Sequence, residues 1–493
     1  MKDLKEKTIR GGYARGAALA STFLLRVVSL MLLARLLNPK DFGLLGMVTA
    51  FTGVLSLFRD FGLSSATIQR VSVSHEQTSA LFWVNSLVGA LLMIIAMLSA
   101  PLVAAFYHEP RLSVVTAVVS TSFLFNALGV QHSAILQREM RFTALAVIDV
   151  ASLLVSTGIA VIAAKAGFGY WALVAMALSY PLISTICFWL VCGWVPGKIH
   201  RGTGIRSMIR FGGTLTLNGL VMYIASNFEK ILLGRYWGAE ALGLYGRAYQ
   251  LIRIPTDNLN SAVGDVAFSA LARLQDDPDK LRRYFLKGYS LVLSLTIPIT
   301  IACAIFADDI VFVLLGPKWK QAASIFRLLA PTMLVFAVSN PLGWLLNSVG
   351  LVGRGLKIAL VIAPLMIISN IVGLPYGPRG VAVAYSSVML LWIIPIVLWC
   401  THRTVISLGD VVRTVVRPLG SIVPAAVLAW VVVRYCGHSF SPWVRLVLET
   451  SLLLVTYTAV LLFVAGQKAF YLDLLRTMTA GPTVEEKRIV SAS

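Results

Sequence analysis

Charged and amide side chains recur at helical spacing inside segments that are otherwise apolar, and those are the residues that could do chemistry. Gln250, Arg253, Asp257, Asn260, Ser261 and Gly264 fall within an arc of roughly 100° when the chain is wound at the helical period. Arg253 and Asp257 are four residues apart and stack on one face. Pro255 between them weakens the local hydrogen-bond ladder. Thr49, Thr52, Ser56, Arg59 and Asp60 make a second stripe, with shorter ones at Thr22, Arg26 and Ser29 and at Asn218, Ser226 and Glu229, the last beside Lys230. A guanidinium grips phosphate with a two-pronged fork, and hydroxyls and amides suit a sugar chain. The candidate binding residues are therefore Arg26, Arg59, Lys230, Gln250, Arg253 and Asn260. The candidate ion-coupling acids are Asp60, Glu229, Asp257 and Asp265. Arg15, Arg35 and Arg235 lie near helix ends and read as snorkelling anchors. For Arg26, Arg59 and Arg253 a buried structural pair competes evenly with a cavity role.

The elements that must position these groups are membrane helices. Of 493 residues, 58% are hydrophobic and 13% charged, against about 25% charged in a soluble globule. Apolar runs of roughly 20 residues recur along the length, each able to cross the hydrocarbon. They number about 14. The expectation is an all-α polytopic membrane protein: two six-helix lobes around a central cavity, plus two C-terminal helices. The divisions fall at residues 1–193, a basic connector 194–210, 211–402, the two extra helices at 403–466 and a tail at 467–493. Helix 8 is expected at about residues 243–271, helix 9 at 284–307 and helix 10 at 323–350. A net charge of +20 reads as basic cytoplasmic loops rather than nucleic-acid binding, and the excess of Lys and Arg in alternate connecting segments places both termini inside. Ala18-Leu19-Ala20 follows no apolar stretch and is not read as a signal-peptidase site. The five cysteines are scattered without metal spacing, and no phosphate-binding P-loop is present. Neither a metal nor a cofactor is expected.

The lobes are inferred from a repeat. Leu32-Leu33-Ala34-Arg35 matches Leu232-Leu233-Gly234-Arg235, and Gly43-Leu44-Leu45-Gly46 matches Gly243-Leu244-Tyr245-Gly246, both at an offset of 200. Under the same shift the stripes of the helices expected at about 13–37 and 42–64 fall on or nearly on those of the helices expected at about 211–234 and 243–271. Duplicated halves in membrane proteins commonly rock around a shared site.

The stretch LLARLLNPKDFGLLGMVTAF and its echo NFEKILLGRYWGAEALGLYGRAYQL resemble the polysaccharide-transport branch of the multidrug/oligosaccharidyl-lipid/polysaccharide flippase superfamily. The resemblance extends over about residues 8–465. It implies a bacterial inner-membrane flippase with a cationic cavity, which is not an enzyme. Its substrate would be an oligosaccharide on polyprenyl pyrophosphate, carried from the inner to the outer leaflet. The partners to be considered are membrane lipid, H+ or Na+, and polysaccharide polymerase and chain-length proteins, with energy drawn either from an ion gradient or from consumption of the product outside. The alternatives are a peptidoglycan lipid-precursor flippase, an ion-coupled multidrug antiporter, and more remotely a membrane glycosyltransferase or polymerase. The last would present carboxylates on a sizeable outside loop, which this chain lacks.

Overall fold

A chain in hydrocarbon must satisfy its own backbone, and the apolar runs do so as helices. The computed structural model describes residues 21–59, 74–198, 206–436, 440–469 and 471. Among them are α1 (21–36), α2 (Pro39–Ser56), α3 (His75–Tyr107), α4 (Arg111–Arg138), α5 (Phe142–Lys165) and α6 (Tyr170–Cys192). There follow α7 (206–237), α8 (239–273), α9 (Pro278–Ile305), α10 (Ala307–Leu315), α11 (Lys320–Leu329) and α12 (Pro331–Ser348). The last are α13 (Val352–Gly373), α14 (Gly377–Thr401), α15 (Leu408–Cys436) and α16 (Pro442–Ala459). No strand occurs among the described residues.

The chain is an all-α, multi-pass membrane protein. Among the described residues, eight helical stretches are long and apolar enough to cross a membrane, or nine with the bent pair Pro317–Leu329 and Pro331–Ser348 taken as one span. One of the eight, Gly353–Thr401, contains α13 and α14, of 22 and 25 residues, each long enough for its own crossing. About fourteen crossings are compatible with this set.

Three details depart from the sequence expectation, the first being that α9 begins at Pro278 rather than residue 284. The polar hairpin before helix 8 shrinks to a single residue, Gly238, at φ 79 and ψ −175, so α8 begins at residue 239 rather than 243. Glycine alone reaches that conformation without strain. Helix 10, expected as one rod over 323–350, is bent by 43° ahead of Pro331. Proline lacks the amide donor and its ring crowds the preceding turn.

Two compact units form. The first comprises Met1–Ala248, Leu314–Ile325 and Ala359–Tyr385. Within it α3 packs along α4, α5 along α6, and α6 also against α4. The repeated hairpins meet here. A Cβ on Gly43 would overlap the backbone of Ala239, and a Cβ on Gly243 would overlap the carbonyl of Pro39. Gly43 and Gly243 are 200 apart, as are Pro39 and Ala239, so the offset seen in the sequence recurs as a reciprocal contact. Trp319, fully buried, seals the same region: its Nε1 donates to the Ala34 carbonyl at 2.8 Å, and its ring meets Phe42 edge-on at 5.3 Å.

The second unit comprises Tyr249–Val313, Phe326–Ile358 and Ser386–Ser493. There α9 is the hub, packed by α12, α15 and α16. Tyr289 Oη donates to the Val338 carbonyl at 3.3 Å, and Tyr457 Oη to the Ser294 carbonyl at 3.1 Å. Arg282 forks onto Asp410 at 2.6 and 3.1 Å, joining the N-terminal ends of α9 and α15.

Candidate functional site

In the first unit the polar groups gather around Arg59, just past the end of α2. Helix α4 presents Asn126, Ser133 and Gln137 on one face, and α6 presents Ser184 and Thr185. With Arg59 and Phe188 they line a pocket of about 220 Å³. Most of these groups satisfy themselves locally. Asn126 donates to the Ser122 carbonyl at 2.8 Å, Gln137 to Ser133 Oγ at 3.3 Å, Ser184 to the Pro181 carbonyl at 3.1 Å and Thr185 to the Phe125 carbonyl at 2.7 Å. Hydroxyl and amide oxygens keep lone pairs beyond those bonds. Arg59 differs: its Nε is buried and has no hydrogen-bond partner among the described residues. A buried donor without an acceptor costs about 1–3 kcal/mol, which a bound anion or hydroxyl would recover.

Arg26 sits elsewhere in this unit. Its guanidinium lies 3.9 Å from Asp149 on α5, and Tyr180 on α6 donates a short hydrogen bond to the same carboxylate. Ser29, from the same stripe, is buried and accepts from Thr157 of α5 at 3.0 Å. The stripe on α1 therefore includes two contacts with α5. On α2, Thr49, Thr52 and Ser56 bond back to carbonyls of their own helix. Lys230 Nζ donates to Asn227 Oδ1 at 2.7 Å, and the neighbouring Glu229 is buried. Asp60 lies outside the described residues, as does the side chain of Asp265.

In the second unit Arg253 pairs with Asp257 at 3.1 Å, the i,i+4 contact expected from their spacing, and its guanidinium rides 5.3 Å from the Phe336 ring. Gln250, one turn earlier, is half-buried. Asn260 lines a separate small cavity of about 20 Å³ with Thr256, Phe336, Asn340 and Trp344. Its Oδ1 is buried without a hydrogen-bond partner among the described residues. That volume suits a single water molecule. Among the described residues no group of three or more His, Cys, Asp or Glu could hold a metal ion.

The repeat and the pocket both fall within a single stretch of similarity. A family model for polysaccharide biosynthesis proteins matches residues 32–324. The chain belongs to this family. The lipopolysaccharide biosynthesis protein WzxC of Escherichia coli (strain K12) is 29% identical over 353 residues, 70% of each chain. The teichuronic acid biosynthesis protein TuaB of Bacillus subtilis (strain 168) is 30% identical over 332 residues, 66% of this chain and 68% of that one. In fold, the chain is similar to the inward closed conformation of the lipid II flippase MurJ, with a TM-score of 0.74 at 14% identity, over 94% of this chain and 99% of that one.

Sequence reasoning placed Arg59 among the candidates but missed the partners it gathers. Asn126, Ser133 and Gln137 form a polar face at spacings of seven and four on α4, the same kind of signal that singled out α2 and α8. It carried no charge and was passed over. Tyr180, which holds Asp149, offered no signal of its own.

Proposed function

We propose that this family member is a flippase. It moves polyprenyl-pyrophosphate-linked oligosaccharide repeat units of a bacterial surface polysaccharide from the inner to the outer leaflet by alternating access. The Arg59 pocket carries the reading. A buried guanidinium nitrogen in want of an acceptor, ringed by hydroxyls and amides, suits a headgroup that joins phosphate to sugar. At about 220 Å³ the pocket is smaller than the roughly 300–1,000 Å³ of sites for drug-sized ligands. It would engage one end of the headgroup rather than the whole glycan. In this reading Arg26, Lys230, Gln250, Arg253 and Asn260 offer further contacts, while Asp60, Glu229, Asp257 and Asp265 remain candidates for coupling to H+ or Na+.

The membrane is the bacterial inner membrane, with both termini and the 194–210 connector on the cytoplasmic side, where their basic residues resist translocation. The protein moves its substrate without altering it, and polymerase and chain-length proteins would act on the product. The division into two six-helix lobes and a terminal pair follows the repeat.

The test replaces Arg59 in protein reconstituted into liposomes bearing a labelled polyprenyl-pyrophosphate oligosaccharide. Arg59→Gln should slow translocation by roughly 10- to 100-fold, the equivalent of about 1–3 kcal/mol of charge-assisted hydrogen bonding. Arg59→Lys should recover part of it, being a point charge without the fork. Wild-type rates for Arg59→Gln would remove the pocket from the mechanism.

A further inference from the structure

Helix α16 turns one stripe toward its neighbours. Glu449, Leu453 and Tyr457 stand four residues apart, and all three are buried. Leucine and hydrogen-bonded tyrosine are ordinary core residues; Glu449 is not. Its side chain is 3% exposed, and neither carboxyl oxygen has a hydrogen-bond partner among the described residues. Arg445, one turn earlier, brings its Nε only to 3.7 Å from Oε1, beyond hydrogen-bonding range. Arg445 is forked onto Asp309 instead: Nε donates to Oδ2 at 2.9 Å, and Nη2 donates to Oδ1. The adjacent Asp308 is held by Arg327 at 2.6 Å. Among the described residues, the charged groups acting on Glu449 are Asp309 and Arg445, and Asp308 also acts on Arg445.

The charges do not cancel. Asp308, Asp309 and Glu449 face two guanidiniums, Arg327 and Arg445. With every group ionised, one excess negative charge would rest on a buried carboxylate that accepts no hydrogen bond. A buried ion of that kind costs several kcal/mol, and such a group takes a proton instead. No cluster able to hold a metal ion is present among the described residues to offer another remedy.

We propose that Glu449 is a proton-binding site, holding its proton while Arg445 is forked onto Asp309. A swing of Arg445 toward Glu449 exchanges the roles: the O–H bond on Glu449 breaks, one forms on Asp309, and the guanidinium stays charged throughout. The cluster thus binds one proton in either arrangement, on whichever acid Arg445 has left. None of the acids singled out from sequence belongs to it, and it stands independently of the flippase reading.

Infrared spectroscopy of the full-length protein in lipid nanodiscs tests this without any transport substrate. The spectrum of wild type minus Glu449→Gln at neutral pH should contain the C=O stretch of a protonated carboxyl group. Carboxylate bands alone would overturn the proposal. Asp309→Asn gives a second, independent reading, because it frees Arg445 to pair with Glu449. The protonated band should then give way to carboxylate bands; its persistence in this variant would overturn the exchange.

Discussion

Adding one methyl group at Gly43 probes the crossing of the two repeated hairpins. In Gly43→Ala the new Cβ would overlap the backbone of Ala239, which, unlike a flexible side chain, cannot turn aside. Helices α2 and α8 would have to part by roughly 1–2 Å to restore ordinary van der Waals separation. Overpacking of this kind costs about 1–3 kcal/mol. Alanine returns at most about 1 kcal/mol through its better helix propensity, so the net loss lies at about 0–2 kcal/mol, toward the upper end because the overlap is with backbone. Gly243→Ala meets the Pro39 carbonyl and should cost a similar amount. The double variant should cost less than the sum, because helices already parted for one methyl accommodate the second. Gly158→Ala on α5, with open space around it, is the control and should be neutral or stabilising. The assay is thermal inactivation of the detergent-solubilised protein, read as the temperature at which half the monodisperse protein is lost. If both crossing variants behaved like Gly158→Ala, the close approach of α2 and α8 would be refuted.

Other sites give sharper local outcomes. Trp319→Ala should cost about 3–5 kcal/mol for the lost core volume, and Trp319→Phe less, since it forfeits chiefly the bond to Ala34; protein yield and melting measure both. Ser407 and Asp410 cap α15 reciprocally, at 3.2 and 3.0 Å, so Ser407→Ala should cost about 1 kcal/mol in the same melting assay. Asp277 caps α9 through the Lys280 amide and pairs with the Lys280 ammonium, and these contacts hold its carboxyl below the ordinary range. A lowered native value means that its stabilisation is present at neutral pH and is lost as pH falls through that value. Asp277→Asn should therefore flatten the acid limb of the stability–pH curve.

Much of the architecture could be read from the chain because lipid imposes simple rules. Apolar runs of spanning length must be helices, and the repeated stretch carried the resemblance to the family, though not the reciprocal close approach of Gly43 and Gly243. The Arg253–Asp257 pair follows from spacing alone. What escaped were relations between helices that no period encodes. Nothing in the sequence ties Arg59 to Ser184 on α6, Arg26 to Asp149, or Glu449 to an arginine already claimed by Asp309. Glu449 stands four residues after Arg445, so spacing alone suggests an i,i+4 ion pair. Only the packing of α10 shows that the arginine gives its hydrogen bonds to Asp309 and stands 3.7 Å from Glu449. The bend before Pro331 was hidden for a different reason: hydropathy runs unbroken through it.

The central claim is movement of a lipid-linked glycan across a bilayer, and leaflet accessibility measures it directly. Wild-type protein would be reconstituted into liposomes containing a polyprenyl-pyrophosphate oligosaccharide with a labelled sugar. A membrane-impermeant reagent that destroys the label would report how much substrate faces outward over time. The account predicts that the protected pool becomes accessible far faster than in protein-free liposomes, without nucleotide. It also predicts that Arg59→Gln slows this exchange while leaving the amount of inserted protein unchanged. A protected pool that persists in liposomes holding correctly inserted wild-type protein would contradict it.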